Sequence, residues 1–170
     1  MFKDDSPTRR ARFEALALPH MDAAFNLARW LVRDAQDAGD VVQEAFLRAF
    51  TAIDSLRGEN ARPWLLAIVR NTSFNWLAQN RKGEMVEFDE RLHGAADVDS
   101  DPQVQALRAD DCRRVDQAIG RLPVEFREAI VLREIEELSY KEIARVLAIP
   151  IGTVMSRLAR GRQLLARELR

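Results

Sequence analysis

The sequence is short of cysteine, histidine, glycine and proline. Among 170 residues there is one cysteine, Cys112, and there are two histidines, His20 and His93. A single thiol excludes an internal disulfide framework and fits a reducing compartment. Two distant imidazoles offer no zinc-type ligand cluster, so no metal is expected. The seven glycines form no Gly-rich phosphate loop, and no nucleophile–base pair stands out. The sequence therefore predicts no enzyme, no catalytic residues and no cofactor. No apolar run approaches the roughly 18 residues of a membrane-spanning helix. Met1 to Arg12 is charged and has no apolar h-region, so no secretory leader is expected. The expectation is a soluble, cytoplasmic protein.

What the chain does have is an ordinary globular composition with an uneven charge. Hydrophobic residues make up 47% and charged ones 31%, enough apolar material for a core and too much for wholesale disorder. The formal net charge is −1, but residues 1–82 carry +2, residues 83–116 carry −6 and residues 117–170 carry +3. Residues 151–170 hold five Arg against one Glu. An acidic middle between two mildly basic ends says more about partners than the total does.

Apolar residues recur at helical spacing, and alternating strand-like stretches are almost absent. Phe13, Leu16 and Ala17 begin a stripe, which Pro19 interrupts by starting a new helix. That helix runs through Met21, Ala24, Leu27, Ala28 and Leu31. A polar break is expected from Arg33 to Gly39. The next helix opens at Asp40 and carries Val41, Val42, Ala45, Phe46, Ala49, Phe50 and Ile53 on one face. Ser55 to Pro63 reads as a loop. A fourth helix is expected from Trp64 to Asn80, with Trp64, Leu65, Ile68, Val69 and Trp76 on its core side. Periodicity disappears from Arg81 to about Asp101, a stretch rich in Asp and Glu with Gly83 and Gly94, and it reads as a linker. The pattern resumes near Val104, with Val115, Ile119 and Leu122. A further helix, Val124–Glu136, should bury Phe126, Ala129, Ile130 and Leu132. The fold class is all-α: two small helical domains, 1–82 and 105–170, joined by an acidic linker, 83–104.

The C-terminal half holds a helix-turn-helix pattern. Ser139-Tyr140-Lys141-Glu142 is a capping box, in which hydroxyl and carboxylate each satisfy an orphan N–H. A short helix with Ile143, Ala144 and Leu147 inward ends before Pro150. Gly152-Thr153 opens a last helix, with Val154, Leu158 and Leu165 inward. Its outer side carries Thr153, Ser156, Arg157, Arg160 and Arg162. The start of the second helix of such a motif enters the major groove, where hydroxyls and guanidinium groups bond phosphates or base edges. A basic amphipathic helix in a plain α-hairpin is the other arrangement these residues permit.

On the fourth helix, Arg70 and Phe74 fall opposite the apolar stripe, and Asn71 and Asn75 fall at its edge. An exposed aromatic beside Arg and Asn suits single-stranded nucleic acid: the ring stacks on a base, Arg holds the backbone, Asn bonds a base edge. Packing of Phe74 under another helix would give the same periodicity. The acidic residues Asp40 and Glu44 suit a helix N-terminus, which leaves Gln43 between them unexplained.

Three sets of residues resemble one family. Asp40-Val41-Val42-Gln43-Glu44-Ala45-Phe46, Leu56-Arg57-Gly58-Glu59 and the run from Trp64 to Asn71 resemble region 2 of bacterial sigma factors of the extracytoplasmic-function class, group IV. Leu122-Pro123, Arg127-Glu128, Leu132-Arg133 and the run from Leu138 to Ala144 resemble the first half of region 4. Ile149 to Arg160 resembles its second half. The blocks fall in the right order over nearly all of residues 12–170. The resemblance implies a transcription initiation factor that brings core RNA polymerase to promoters. Asp40, Gln43 and Glu44 would dock on the β′ clamp helices, and region 4 would meet the β flap. The loop with Arg57 and Asn60 would hold a flipped base of the −10 element, and Arg70, Asn71, Phe74 and Asn75 would line the melted strand. Thr153, Ser156, Arg157, Arg160 and Arg162 would serve the −35 duplex. An anti-sigma factor, often membrane-bound in this class, would be a further partner. The sequence departs from the family's pattern at Leu56, where Phe is common, and at Gly161, where Ala is usual. A DNA-binding repressor would account for the helix-turn-helix but leave Asp40–Glu44 and Trp64–Asn71 without a role. A helical adaptor with no nucleic-acid role would show no salt-dependent DNA binding by residues 105–170, whereas phosphate contacts demand a strong dependence.

Overall fold

The structure is a computed structural model that describes residues 7–80 and 101–170, and all of its regular structure there is helical. Most of the expected linker therefore lies outside the described residues, as does Arg81. The N-terminal half comprises α1 (Pro7–Leu16), α2 (Met21–Val32), α3 (Ala35–Thr51) and α4 (Ala61–Asn80). Short 3₁₀ turns at Leu18–His20 and Ile53–Ser55 join them, and Pro19 sits in the first. The C-terminal half comprises α5 (Pro102–Arg121), α6 (Val124–Ile130), α7 (Tyr140–Leu147) and α8 (Ile151–Glu168).

The starts of α3 and α4 differ from the sequence reading, each for a local reason. α3 opens at Ala35, not Asp40. The Asp34 side chain accepts a hydrogen bond from the Asp37 N–H at 2.9 Å and so caps a helix that the polar residues Arg33 to Gly39 had hidden. Asp40 thus lies in the second turn, and Asp37 is the acid of the first. Asp37 sits beside Asp34 and Asp40, and burial first and these neighbours second push its carboxyl up. α4 opens at Ala61, which puts Pro63 in its first turn, where a missing N–H costs nothing.

α2, α3 and α4 pack on one another around Leu27, Leu31, Val41, Leu65, Leu66 and Val69, all essentially fully buried. Leu66 and Ser73 are buried where the periodic reading named Trp64 and Trp76, which are only half-buried. In the C-terminal half α6, α7 and α8 bury Ile130, Leu132, Ile143, Val146, Val154 and Leu158. Phe126 is half-buried, and Val115 is exposed because α5 touches the body only toward its C-terminal end.

α6 does not run on as an α-helix to Glu136. It widens into a π turn over Val131–Ile135, closed by the Glu136 N–H donating to the Val131 carbonyl at 3.0 Å. A π turn accommodates an extra residue in the helix and so resets which side chains share a face.

The two halves share one continuous hydrophobic core. α7 lies against α4 and α6 against α2. Polar contacts cross between the halves as well. Arg127, itself buried, donates to the Trp30 carbonyl at 3.2 Å and to the Leu122 carbonyl at 2.9 Å. Glu136 accepts from Asn26 at 3.1 Å and from Arg62 at 3.0 Å.

Candidate nucleic-acid interface

The helix-turn-helix forms as its local chemistry dictates. The Ser139 hydroxyl accepts from the Glu142 N–H at 3.2 Å, and Glu142 accepts from the Ser139 N–H at 2.8 Å. That N–H bond, aided by Asn60 and Arg62, holds the Glu142 carboxyl below its ordinary range against the opposing effect of burial. α7 ends at Ala148 in the left-handed region, φ 52°. Pro150 is the N-cap of α8, which opens at Ile151, two residues ahead of Thr153.

Of the five residues expected to face the −35 duplex, Ser156, Arg160 and Arg162 are exposed. Thr153 and Arg157 are half-buried. Arg157 is not on the free outer side: its Nη1 lies 3.5 Å from the Glu128 carboxylate on α6. Arg162 also has a partner. Its Nε and Nη2 donate to Glu134 at 3.0 and 2.7 Å. That bond, with Tyr140 adding to it, pushes the Arg162 guanidinium further above its ordinary value.

The −10 residues divide in the same way. Arg57 and Asn60 are exposed on the α3–α4 loop, where Gly58 has φ 76°. Asn60 donates to Glu142 of α7 at 3.0 Å. Asn71 and Asn75 are exposed on α4. Arg70 and Phe74 are not: both are half-buried against the C-terminal half. The Arg70 guanidinium stacks 4.8 Å from the Phe74 ring centroid. Its Nε and Nη2 donate to Glu128 at 2.7 and 3.0 Å. Phe74 borders a cleft with Leu31, Leu77, Val124 and Arg127. The periodic argument placed Arg70 and Phe74 opposite the α4 core stripe but had no view of what would cover that side.

Asp40, Gln43 and Glu44 are exposed on α3, and Glu44 pairs with Arg48 one turn on. Gln43 stands at the edge of an apolar groove formed with Phe13, Met21, Val42, Phe46 and Leu47. Leu47 is 66% exposed, which is unusual for so large an apolar side chain in the middle of a helix. The sequence reading missed Leu47. Its signal was an apolar residue off the stripe set by Phe46 and Ala49.

The charged residues Glu128 and Glu136 were also missed as site elements, although they are 2% and 5% exposed. Among the described residues no group of His, Cys, Asp and Glu is arranged to hold a metal ion. Among them, too, no helix is long and apolar enough to cross a membrane.

Comparison with known proteins agrees with this layout. Residues 16–83 match the family model of sigma-70 region 2, and residues 112–165 match that of sigma-70, region 4. The RNA polymerase sigma-H factor of Pseudomonas aeruginosa is 39% identical over 166 residues, covering 92% of this chain and 86% of that protein. The ECF RNA polymerase sigma-E factor of Escherichia coli K12 is 41% identical over 135 residues, covering 75% and 71%. Among solved structures, the sigma factor RpoE in complex with the anti-sigma factor NepR from Bartonella quintana superposes with a TM-score of 0.71. It is 27% identical, with 89% of this chain and 92% of that one covered. CnrH in complex with the cytosolic domain of CnrY gives 0.65 at 28% identity, covering 92% and 86%. With both regions present in order and full-length relatives at this identity, the chain belongs to the extracytoplasmic-function RNA polymerase sigma factors and is a transcription initiation factor.

Proposed function

We propose that the chain binds core RNA polymerase through α3 and reads promoters with its two halves, acting in the cytoplasm without catalysing a reaction of its own. The observation that carries this is the order of parts in one chain: a region 2 half with an exposed polar face on α3, then a region 4 half with a capped helix-turn-helix. Asp40, Gln43 and Glu44 dock on the β′ clamp helices. The apolar groove beside Gln43 supports this, since a polar rim around an apolar floor suits a protein partner. The α8 face meets the −35 duplex through Thr153, Ser156, Arg157, Arg160 and Arg162, and the opposite side of region 4 meets the β flap. Arg57, Asn60, Arg70, Asn71, Phe74 and Asn75 serve the −10 element and its melted strand. The domain division is residues 1–82, a linker 83–104 and residues 105–170, although α5 already begins at Pro102.

An anti-sigma factor is the remaining partner. RpoE, a solved sigma factor that superposes on most of this chain, was captured with the anti-sigma factor NepR, and CnrH was captured with the cytosolic domain of CnrY.

Run-off transcription with core polymerase on fragments of the host genome tests the reading. Added protein should yield promoter-specific transcripts. Gln43→Ala with Glu44→Ala should weaken binding to core polymerase while helical content stays intact. Unchanged affinity in that variant would remove the α3 docking assignment.

A further inference from the structure

The first half of α5 stands clear of the body. Every residue from Pro102 to Val115 is exposed, and burial begins only at Asp116. The helix has a proper start: Asp101 accepts from the Gln103 N–H at 3.0 Å, and Pro102 follows the cap. A helical segment of this length draws most of its stability from packing one face on a neighbour. Here that face is left open. Val104, Leu107 and Val115 are 40%, 69% and 40% exposed. At about 100° per residue they fall with Asp111 inside a stripe about 80° wide. The same stripe runs on into Ala118, which the body buries. A core stripe is thus continued beyond the core.

The charges around Cys112 say what fits it. Arg108, Asp110 and Asp111 precede that residue, and Asp116, Arg114 and Arg113 follow it at the mirrored distances with the signs reversed. A twofold contact presents one patch to itself, so that residue i meets j and j meets i. Two copies of α5 laid antiparallel about an axis at Cys112 set each of these acids opposite a base. Laid parallel and in register, they would set like on like. We infer that α5 is a self-association surface and that its occupant is α5 of a second copy, running antiparallel. Leu107 of one copy then lies within a turn of Val115 of the other. Asp110 and Arg114 share one rim of the stripe, so each copy's Arg114 faces the other's Asp110. Asp111 lies on the stripe itself, in reach of that same Arg114, and a polar residue on an apolar seam fixes the register. Arg113 points to the far side and pairs with its own Asp110 at 3.4 Å. Asp116 is 9% exposed, so recognition falls to Asp110, Asp111 and Arg114. The Val104 tip of one copy reaches the level of Gly120 on the other. That is the foot of α5, where Val124 and Leu169 are also exposed and Arg121 donates to Glu168 at 3.1 Å. The contact uses none of the residues assigned above to polymerase or DNA.

The experiment uses the full chain alone, in sedimentation velocity across a wide range of concentration. The parent should pass from monomer to dimer as concentration rises. The pairing should be weak, because two crossed helices bury less than a standard interface. Leu107→Asp should weaken it by roughly tenfold. Arg114→Asp gives an acidic α5, and Asp110→Arg with Asp111→Arg gives a basic one. Each should be monomeric by itself, and an equimolar mixture of the two should dimerise. Cys112, at the axis, should cross-link between copies with a short bismaleimide. Gln103→Cys in a Cys112→Ser background should not, since antiparallel pairing sets the two positions about 27 Å apart. All the substituted positions are exposed, so helical content should stay unchanged by circular dichroism. A parent that stays monomeric at every concentration overturns the inference and leaves the face to a different protein. Dimers of either charge-reversed chain alone, or cross-linking at 103 as ready as at 112, overturn the antiparallel pairing.

Discussion

Gly161 on α8 lies directly against Ile130 on α6. A Cβ at Gly161 would come within 2.8 Å of Ile130 Cγ1 and 3.1 Å of its Cδ1. Ile130 is 1% exposed and cannot move aside freely. The glycine that departs from the family's usual alanine is therefore what allows α6 and α8 to approach.

Gly161→Ala should accordingly destabilise the protein. Alanine in a helix is worth about 1 kcal/mol over glycine, but overpacking costs about 1–3 kcal/mol. The contact distance decides for the second. Urea unfolding should show a lower midpoint, and adding Ile130→Val, which removes Cδ1, should recover part of the loss. A midpoint that rises would mean the two helices can separate without penalty.

The capping box should make stability depend on acid. The Ser139 N–H, first among its partners, lowers the Glu142 carboxyl, so the folded state prefers the ionised form. That stabilisation is complete above the unfolded glutamate pKa and is lost as pH falls through the lower folded value. Ser139→Ala should cost about 1 kcal/mol at neutral pH. Glu142→Gln should flatten the acid limb of a stability–pH curve. An acid limb of the same slope in that variant would show that other carboxylates set it.

His20 should add a second step at higher pH. Burial first and Arg62 second lower its imidazole from 6.5. The unfolded chain then takes up the proton before the folded one does, so stability declines as pH falls below 6.5 and levels off beneath the folded pKa. Thermal unfolding between pH 7.5 and 5 should show this decline, and His20→Gln should lack it.

At the promoter, Arg157→Ala and Arg162→Ala should part company. Arg157 lies in the second turn of α8, where side chains reach base edges, and its loss should relax preference at one base pair at a cost of about 1–3 kcal/mol. Arg162 lies a turn and a half further on and must leave Glu134 to reach a phosphate. Its loss should weaken all sequences alike and reduce the salt slope by about one unit. Binding across single-base variants and several salt concentrations distinguishes the two. Uniform loss with Arg157→Ala would leave it an electrostatic role alone.

Features set by neighbours in sequence were legible before the structure was known. The capping box at Ser139 and the stripes on α2 and α3 needed only spacing. The start of α3 was misread because its cap, Asp34, sits among polar residues that look like a loop. The site was legible in its residue types and less so in their surroundings. Arg70 and Phe74 were placed opposite the core stripe, yet Arg70 is covered by Glu128, 58 positions away, and Phe74 borders Val124 and Arg127. No local pattern encodes a contact of that range. Glu128 itself reads as an ordinary helix acid until the opposing half is in place.

The π turn at Val131–Ile135 bears on how the two halves are held together. Arg62 pairs with Glu136 and Arg70 with Glu128, so each helix offers its pair at positions eight residues apart, in opposite senses. Eight residues span about 12 Å of helix and about 80° of rotation. The extra residue in the π turn takes up most of that rotation on the α6 side, which brings both acids to one face. The result is a plug with two pins. Sliding or rolling must break both at once, whereas peeling from one end breaks them in turn. Removing one residue from the π turn would swing Glu136 away by about 100° and leave a plug with a single pin.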